Sequence, residues 1–386
     1  MPSVPPPARA IVSHGPVGEG KWAMEQVRLR DIEADELVIR IVASGICHTD
    51  LHFGGQKEGF GVVYPSVKGH EGSGYVESVG ANVTVAAPGD PVLLSFSYCG
   101  SCALCSGGHP SHCVDFNNIN FLGGPDFALA SAAGEGSVKA NIAGRFFGQS
   151  SFASRTIARE SSVVNVKGLV YSDEELQLLA PLGCGIQTGS GTIAKVAGAG
   201  ERDCVAVLGM GGVGLSGIMA AKIRNCRTII GIDKVASRLE LAKELGATHV
   251  INTAGMKSLT ELVEAVRAVT EGLGSTITMD TTGFLPLIQK AVEFTRPKGK
   301  ILQVGTAPID AKLDIPIFEF MVAGKQYIGA VEGDSITSES VPLMIRWWRE
   351  GKFPLEKLVK RFKAEEFKEA IKEMHEGVTV KPVIVW

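Results

Sequence analysis

From residue 204 to residue 330, short apolar runs alternate with helical stretches, and this alternation restricts the fold more than any other feature of the chain. The apolar runs are 204–208, 228–232, 249–251, 276–280, 300–304 and 326–330. Between them lie segments such as 237–245, where Leu239, Leu241, Ala242 and Leu245 recur at helical spacing. A strand, a helix and a further strand close as a right-handed crossover, which makes the sheet parallel. Six such strands suffice for a complete, doubly wound dinucleotide-binding sheet.

The first strand-to-helix turn of that sheet reads Gly209-Met210-Gly211-Gly212-Val213-Gly214. The motif alone is weak, but here it follows the run 204–208 and opens the helical stretch 215–224. The first glycine permits the tight turn, the second lets backbone approach a pyrophosphate, and the third lets helix pack on strand. Free N–H groups and the dipole at the helix start favour phosphate. Asp233 follows Gly214 by 19 positions (233 − 214) and ends the next run. A carboxylate there accepts hydrogen bonds from a ribose and repels a 2′-phosphate, so NAD is expected over NADP. Lys234 beside it weakens that preference, and with Arg238 would favour NADP if Asp233 were removed.

Upstream of about residue 185 the pattern changes. The runs 36–43, 74–79 and 91–95 are β-type and separated by Gly, Pro and Asp, which predicts a barrel-like β domain. The stretch 117–144 is rich in Gly and Ala with little periodicity, and a long loop is expected there. After residue 331 come two helical patterns and a final β-type run, 380–386, which suggest a return to the first domain. The expected division is 1–185, 186–330 and 331–386. A chain of 386 residues is too long for one ordinary core, which agrees with this division. The net charge of −3 gives no reason to expect nucleic acid or an acidic membrane as partner. No apolar run approaches a membrane span, and the start, Met1 to Pro7, has neither a basic nor an apolar stretch. A cytoplasmic protein is expected.

Four of the eight cysteines read Cys99-x2-Cys102-x2-Cys105-x7-Cys113. Four thiolates this close can surround a tetrahedral zinc with no open position, which makes the site structural. Gly100, Gly107, Gly108 and Pro110 supply the turns. His109 and His112 are rival ligands, though four cysteines explain the spacing without them. A third signal is dispersed: Cys47-His48-Thr49-Asp50-Leu51-His52, Gly69-His70-Glu71-Gly72 and Pro181-Leu182-Gly183-Cys184. Two thiolates and one imidazole would leave a zinc neutral with one place open, which suits catalysis. The residues alone leave a second reading open, because a lone Cys or His in an apolar setting is more often core than ligand.

Taken together these motifs resemble the medium-chain zinc alcohol dehydrogenase family over nearly the whole chain. The stretches 181–189 and 146–152 most resemble its aryl (benzyl) alcohol dehydrogenase branch. The resemblance implies an α/β chain with a GroES-like β-barrel catalytic domain and a Rossmann doubly wound parallel sheet. It implies that Cys47, His70 and Cys184 hold a catalytic zinc, with Glu71 behind the metal, and that Cys99, Cys102, Cys105 and Cys113 hold a structural one. Thr49 and His52 match a proton relay, and Asp50 matches the carboxylate that orients the histidine ligand. His48 stands where many members have an arginine at the cofactor pyrophosphate, and Lys381 matches a second phosphate contact. Thr188, Val304, Gly305 and Thr306 are expected to border the nicotinamide, and Phe146 and Phe147 to line the substrate pocket.

The implied activity is an alcohol dehydrogenase or aldehyde reductase. It would pass a hydride between NAD and a primary alcohol with an aromatic or bulky apolar group, using two zinc ions per chain. A homodimer or homotetramer acting on small molecules is expected. A reductase of conjugated C=C bonds is the alternative enzyme, disfavoured by the complete ligand set. A zinc- and NAD-binding sensor is the alternative outside catalysis, disfavoured by Thr49 and His52.

Overall fold

The computed structural model describes residues 7–132 and 140–386. The remaining residues of the start and of the expected 117–144 loop lie outside the described set. The chain divides into two compact units. One runs to Cys184 and takes in Ile336–Arg346 and Leu355–Trp386; the other comprises Gly185–Ser335 and Trp347–Pro354. The segment after residue 331 is thus shared between the units instead of returning whole to the first.

The second unit is built on a parallel sheet of Cys204–Leu208, Thr228–Asp233, His249–Asn252, Ser275–Asp280, Thr295–Gln303 and Gln326–Gly329. In space the third strand of this series lies at one edge, followed by the second, first, fourth, fifth and sixth. Val205 pairs with both Ile229 and Ile277, so the first strand is central. This is the order of a doubly wound dinucleotide fold, whose crevice lies where the strand order reverses, at the carboxyl end of that strand. Ala206, Leu208, Ile230, Ile232, Ile301 and the helix residues Leu262 and Val266 form one of its cores. Strands buried on both faces carry continuous apolar runs, which is why they are visible in the sequence.

The first unit combines a closed barrel with an open sheet. The barrel strands are Ala8–Ser13, Trp22–Leu29, Gly124–Leu129, Ile142–Gly144 and Ser66–Val67. Two of them, with the helical turn Asn118–Leu122, occupy the stretch expected as a loop, and that expectation is corrected. The cause is packing: Phe127 and Ile142 point into the core beside Ile11, Val27 and Phe152. Both strands are short and contain Gly and Ala among few large apolar residues, which leaves no period to read. Arg30 and Arg145 reach across to Glu36 and Asp126 in a buried charge cluster at the base of these strands. The open sheet is centred on Glu36–Gly45, which pairs with Glu71–Val79 on one side and with Arg155–Arg159 and Lys381–Val385 elsewhere along its length. The C-terminal strand thereby returns to the first unit, with Val383 opposite Gly45. Among the described residues no helix is long and apolar enough to cross a membrane.

Candidate active site and metal centres

Cys47, His70 and Cys184 come together from three parts of the first unit, their ligand atoms all within 4.8 Å of one another. Cys47 caps the N-terminus of the helix His48–Gly55. Three residues on, Asp50 turns back, and its Oδ2 accepts from the Cys47 N–H at 3.0 Å. The other carboxylate oxygen accepts from the Gly69 N–H at 2.9 Å and from His70 Nδ1 at 2.9 Å. One buried aspartate thus fixes the cysteine, the turn before the histidine and the histidine's tautomer. With Nδ1 as donor, Nε2 carries the lone pair. His70 is fully buried and its Nε2 has no hydrogen-bond partner. A buried imidazole nitrogen left unpaired beside two sulfurs fits a metal ligand. The hydrogen bond with Cys184 holds the Cys47 thiol well below its ordinary range, although burial opposes this. Cys184 follows the short helical turn Ala180–Gly183, whose apolar residues are wholly buried.

Glu71 lies behind this cluster, fully buried. Gly45 makes room for it, since a Cβ there would stand 2.0 Å from Glu71 Oε2. Lys381 Nζ donates to both carboxylate oxygens, at 2.9 and 3.0 Å, and to the Ile46 carbonyl at 3.3 Å. The three ammonium protons are therefore engaged, and Lys381 is nearly inaccessible. Lys381, expected at a cofactor phosphate, here balances a buried carboxylate that would otherwise be costly.

Cys99, Cys102, Cys105 and Cys113 form the second cluster, again with every sulfur within 4.8 Å of the others. None is in a disulfide. Backbone N–H groups of Cys102 and Cys105 point at the sulfurs of Cys99 and Cys102, at 3.4 and 3.5 Å. Gly100 and Gly108 both take positive φ, which lets the chain fold around the sulfurs. N–H donors from Ser101 and Cys102 bring the Cys99 thiol down, whereas burial and neighbouring sulfurs push Cys105 up. Four adjacent sulfurs cannot all ionise without a cation among them, and a closed tetrahedral metal is the group they fit. His109 and His112 are not members of the cluster.

In the second unit the glycine motif opens the helix Gly212–Ile223. Gly209 takes φ of 91°. A Cβ on Gly214 would stand 1.8 Å from the Gly209 carbonyl, whereas one on Gly211 would meet nothing within 4 Å. The first and third glycines are thus required by the turn and the packing, and the second leaves the approach to the helix open. Asp233 Oδ2 accepts from the Met210 N–H at 2.6 Å and Oδ1 from the Val235 N–H at 2.8 Å, which holds its carboxylate against the turn. Lys234 is exposed and Arg238 half-buried. Asp280, fully buried at the end of its strand, accepts from Thr282 and from the Gly283 N–H. The N–H groups of Val304 and Gly305 donate to its carbonyl. Thr188 lies in the helix Gly185–Gly191 beside Glu332.

The N-terminal unit matches the model of the alcohol dehydrogenase GroES-like domain over residues 33–168, and residues 212–350 match that of the zinc-binding dehydrogenases. Geraniol dehydrogenase of Castellaniella defragrans is 38% identical over 95% of this chain and 95% of its own. The chain belongs to the zinc-dependent alcohol dehydrogenase family. Its members are oxidoreductases acting on CH–OH groups. Among solved structures, benzyl alcohol dehydrogenase of Acinetobacter calcoaceticus superposes with a TM-score of 0.87 at 35% identity, covering 99% of both chains. A zinc-binding-domain alcohol dehydrogenase of Burkholderia ambifaria reaches 0.89 at 35% identity, covering 98% of this chain and 99% of that one.

Within this dehydrogenase, Thr49 Oγ1 lies 3.6 Å from Cys47 Sγ. His52 is exposed one helical turn further on, its Nε2 2.9 Å from Gln56 Nε2. His48 is exposed at the start of the same helix. Phe146 and Phe147 are buried against His70: Phe147 stacks on the imidazole at 4.4 Å, and Phe146 meets it edge-on at 5.5 Å. Sequence reasoning did not find three further contributors. Gln149 donates to the carbonyls of His70 and Ser95 and accepts from the Gly72 N–H, which pins the backbone of the histidine. Phe53 and Phe121 stack on each other at 4.5 Å and continue the aromatic wall from Phe146. Phe53 follows His52 directly and was within reach of the motif, whereas Phe121 sits in the stretch taken for a loop.

Proposed function

We propose that this chain is an NAD-dependent alcohol dehydrogenase and aldehyde reductase with one catalytic and one structural zinc. Its substrate in this reading is a primary alcohol carrying an aromatic or bulky apolar group. The observation that carries the reading is the unpartnered, buried Nε2 of His70 between two cysteine sulfurs, with a continuous wall of phenylalanines beside it. Zinc, when bound by Cys47, His70 and Cys184, supplies a Lewis acid for the alcohol or carbonyl oxygen, and NAD supplies the hydride acceptor.

The protein's own residues do the rest. Asp50 orients the imidazole and Gln149 fixes the strand end that carries it. Thr49 Oγ1, beside the Cys47 sulfur, relays the hydroxyl proton of the substrate, accepting it as its own hydroxyl proton passes on toward exposed His52, which releases a proton to solvent. Both lie on one face of the same helix, three residues apart. Phe53, Phe121 and Phe146 exclude water and favour an apolar group. Asp233 favours NAD because a 2′-phosphate would meet a fixed carboxylate at the motif's turn. A homo-oligomer is part of the same proposal. The edge strand Gln326–Gly329 and the adjoining helix Ile317–Ala323 leave Phe318 73% and Met321 64% exposed, which suits a second copy of the chain.

The test is NADH oxidation with benzaldehyde, a short aliphatic aldehyde and an enone, repeated with NADPH. Preference for benzaldehyde with NADH is expected. Turnover of the enone alone would replace the proposal with a C=C reductase, and turnover of none would leave a binding protein.

A further inference from the structure

We propose that Ser66 and Lys68 form a one-oxygen subsite behind Phe146, which takes a hydroxyl oxygen borne on an aromatic ring. The inference deepens the aromatic-substrate reading and rests on it. Lys68 is only 2% exposed. Among the described residues its ammonium has no hydrogen bond or ion pair; it stands 4.8 Å over the ring of Phe146. A lysine ammonium carries three donors, and an aromatic face offers no acceptor oxygen. Asp50, the nearest carboxylate to exert a field on it, has both oxygens engaged with Cys47, Gly69 and His70. The buried hydroxyl of Ser66 is likewise unpaired.

Both side chains line the same cavity, of about 10 Å³, with Val63, Phe121 and Phe146 among its walls. That volume holds about one oxygen atom. A carboxylate or phosphate is too large for it. The apolar walls favour an oxygen carried by a flat apolar body over one carried by a polar chain. Phe146 links this cavity to the metal cluster, since its ring meets His70 edge-on at 5.5 Å and has Lys68 over its face. The proposal places the substrate ring along Phe146, with its hydroxyl substituent at Lys68 and Ser66 and its alcohol carbon toward the cysteine cluster. Hydroxybenzyl alcohols are the substrate class this arrangement selects.

The experiment measures inhibition of the zinc-loaded enzyme by phenol and by toluene, using whichever alcohol it oxidises fastest, and repeats this with Lys68→Met and Ser66→Ala. Lys68→Met keeps the length of the stem and replaces a buried charge by an apolar group, which favours folding. Phenol inhibition is expected to weaken about tenfold or more in Lys68→Met and about threefold in Ser66→Ala, with toluene inhibition shifting less than about twofold in either. Equal loss for phenol and toluene, or no loss for phenol, overturns the subsite. If Lys68→Met does not fold, the phenol-to-toluene ratio in Ser66→Ala decides. The readout does not require the enzyme to oxidise benzyl alcohols, so failure of the subsite is distinguishable from failure of the aromatic-substrate reading.

Discussion

In the proposed function, single residues carry cofactor choice and the rigidity of the Cys47–His70–Cys184 cluster. Asp233 accepts two backbone N–H bonds, which hold its carboxylate fixed at the glycine turn. Asp233→Gly is expected to raise the NADP-to-NAD ratio of kcat/KM by about tenfold, with Lys234 and Arg238 nearby to receive the extra phosphate. Comparable efficiency of the wild type with both cofactors would contradict the role given to Asp233. The two phenylalanines beside His70 are expected to separate by function. Phe147 covers the face of the His70 imidazole and holds φ of 54°, so its truncation is expected to loosen that side chain. Phe147→Ala should cost about 3–5 kcal/mol of stability and lower kcat/KM equally for benzyl alcohol and ethanol. Phe146→Ala should reduce benzyl alcohol turnover more than ethanol turnover, because ethanol is too small to touch the missing ring. Equal selectivity of the two variants would remove the distinction.

At the scale of elements, what could be read in advance follows from periodicity and local spacing. The central parallel strands were legible because both faces are buried and their runs are apolar, as in Cys204–Leu208, whereas the largely exposed edge strands His249–Asn252 and Gln326–Gly329 were legible from the strand–helix alternation. The cysteine cluster was legible because its four sulfurs come from one short stretch of chain. The barrel strands Gly124–Leu129 and Ile142–Gly144 were not, since short strands rich in Gly and Ala carry no repeat. The pairing of Lys381 with Glu71 was also out of reach, because nothing local joins residues 310 positions apart. Lys68, one residue before Gly69-His70-Glu71, could have been noticed as a charge next to a ligand motif, but its burial comes only from the fold. The cysteine lobe should behave as a structural element. Cys102→Ala leaves three thiolates without a closed metal site, and the expected result is a lowered thermal midpoint that added zinc does not restore. An unchanged midpoint would argue that the lobe binds no metal.

For the whole molecule, the apolar helix Ile317–Ala323 and the exposed edge strand predict assembly with further copies of the chain. Met321→Glu places a charge on that face and should shift the mass in light scattering toward a monomer, while a wild type that is already monomeric would exclude the assembly. The central claim concerns metal: two zinc sites of unequal role in one chain. It is tested most directly by measuring zinc per chain, turnover and folded state together, in the wild type and in Cys184→Ala. The wild type should hold two zinc ions per chain. Cys184→Ala should keep the fold and one zinc and lose turnover, because the lobe at Cys99 to Cys113 is untouched while the catalytic cluster loses a ligand. A wild type with one zinc, or a Cys184→Ala variant that retains both metals and full turnover, would contradict the account.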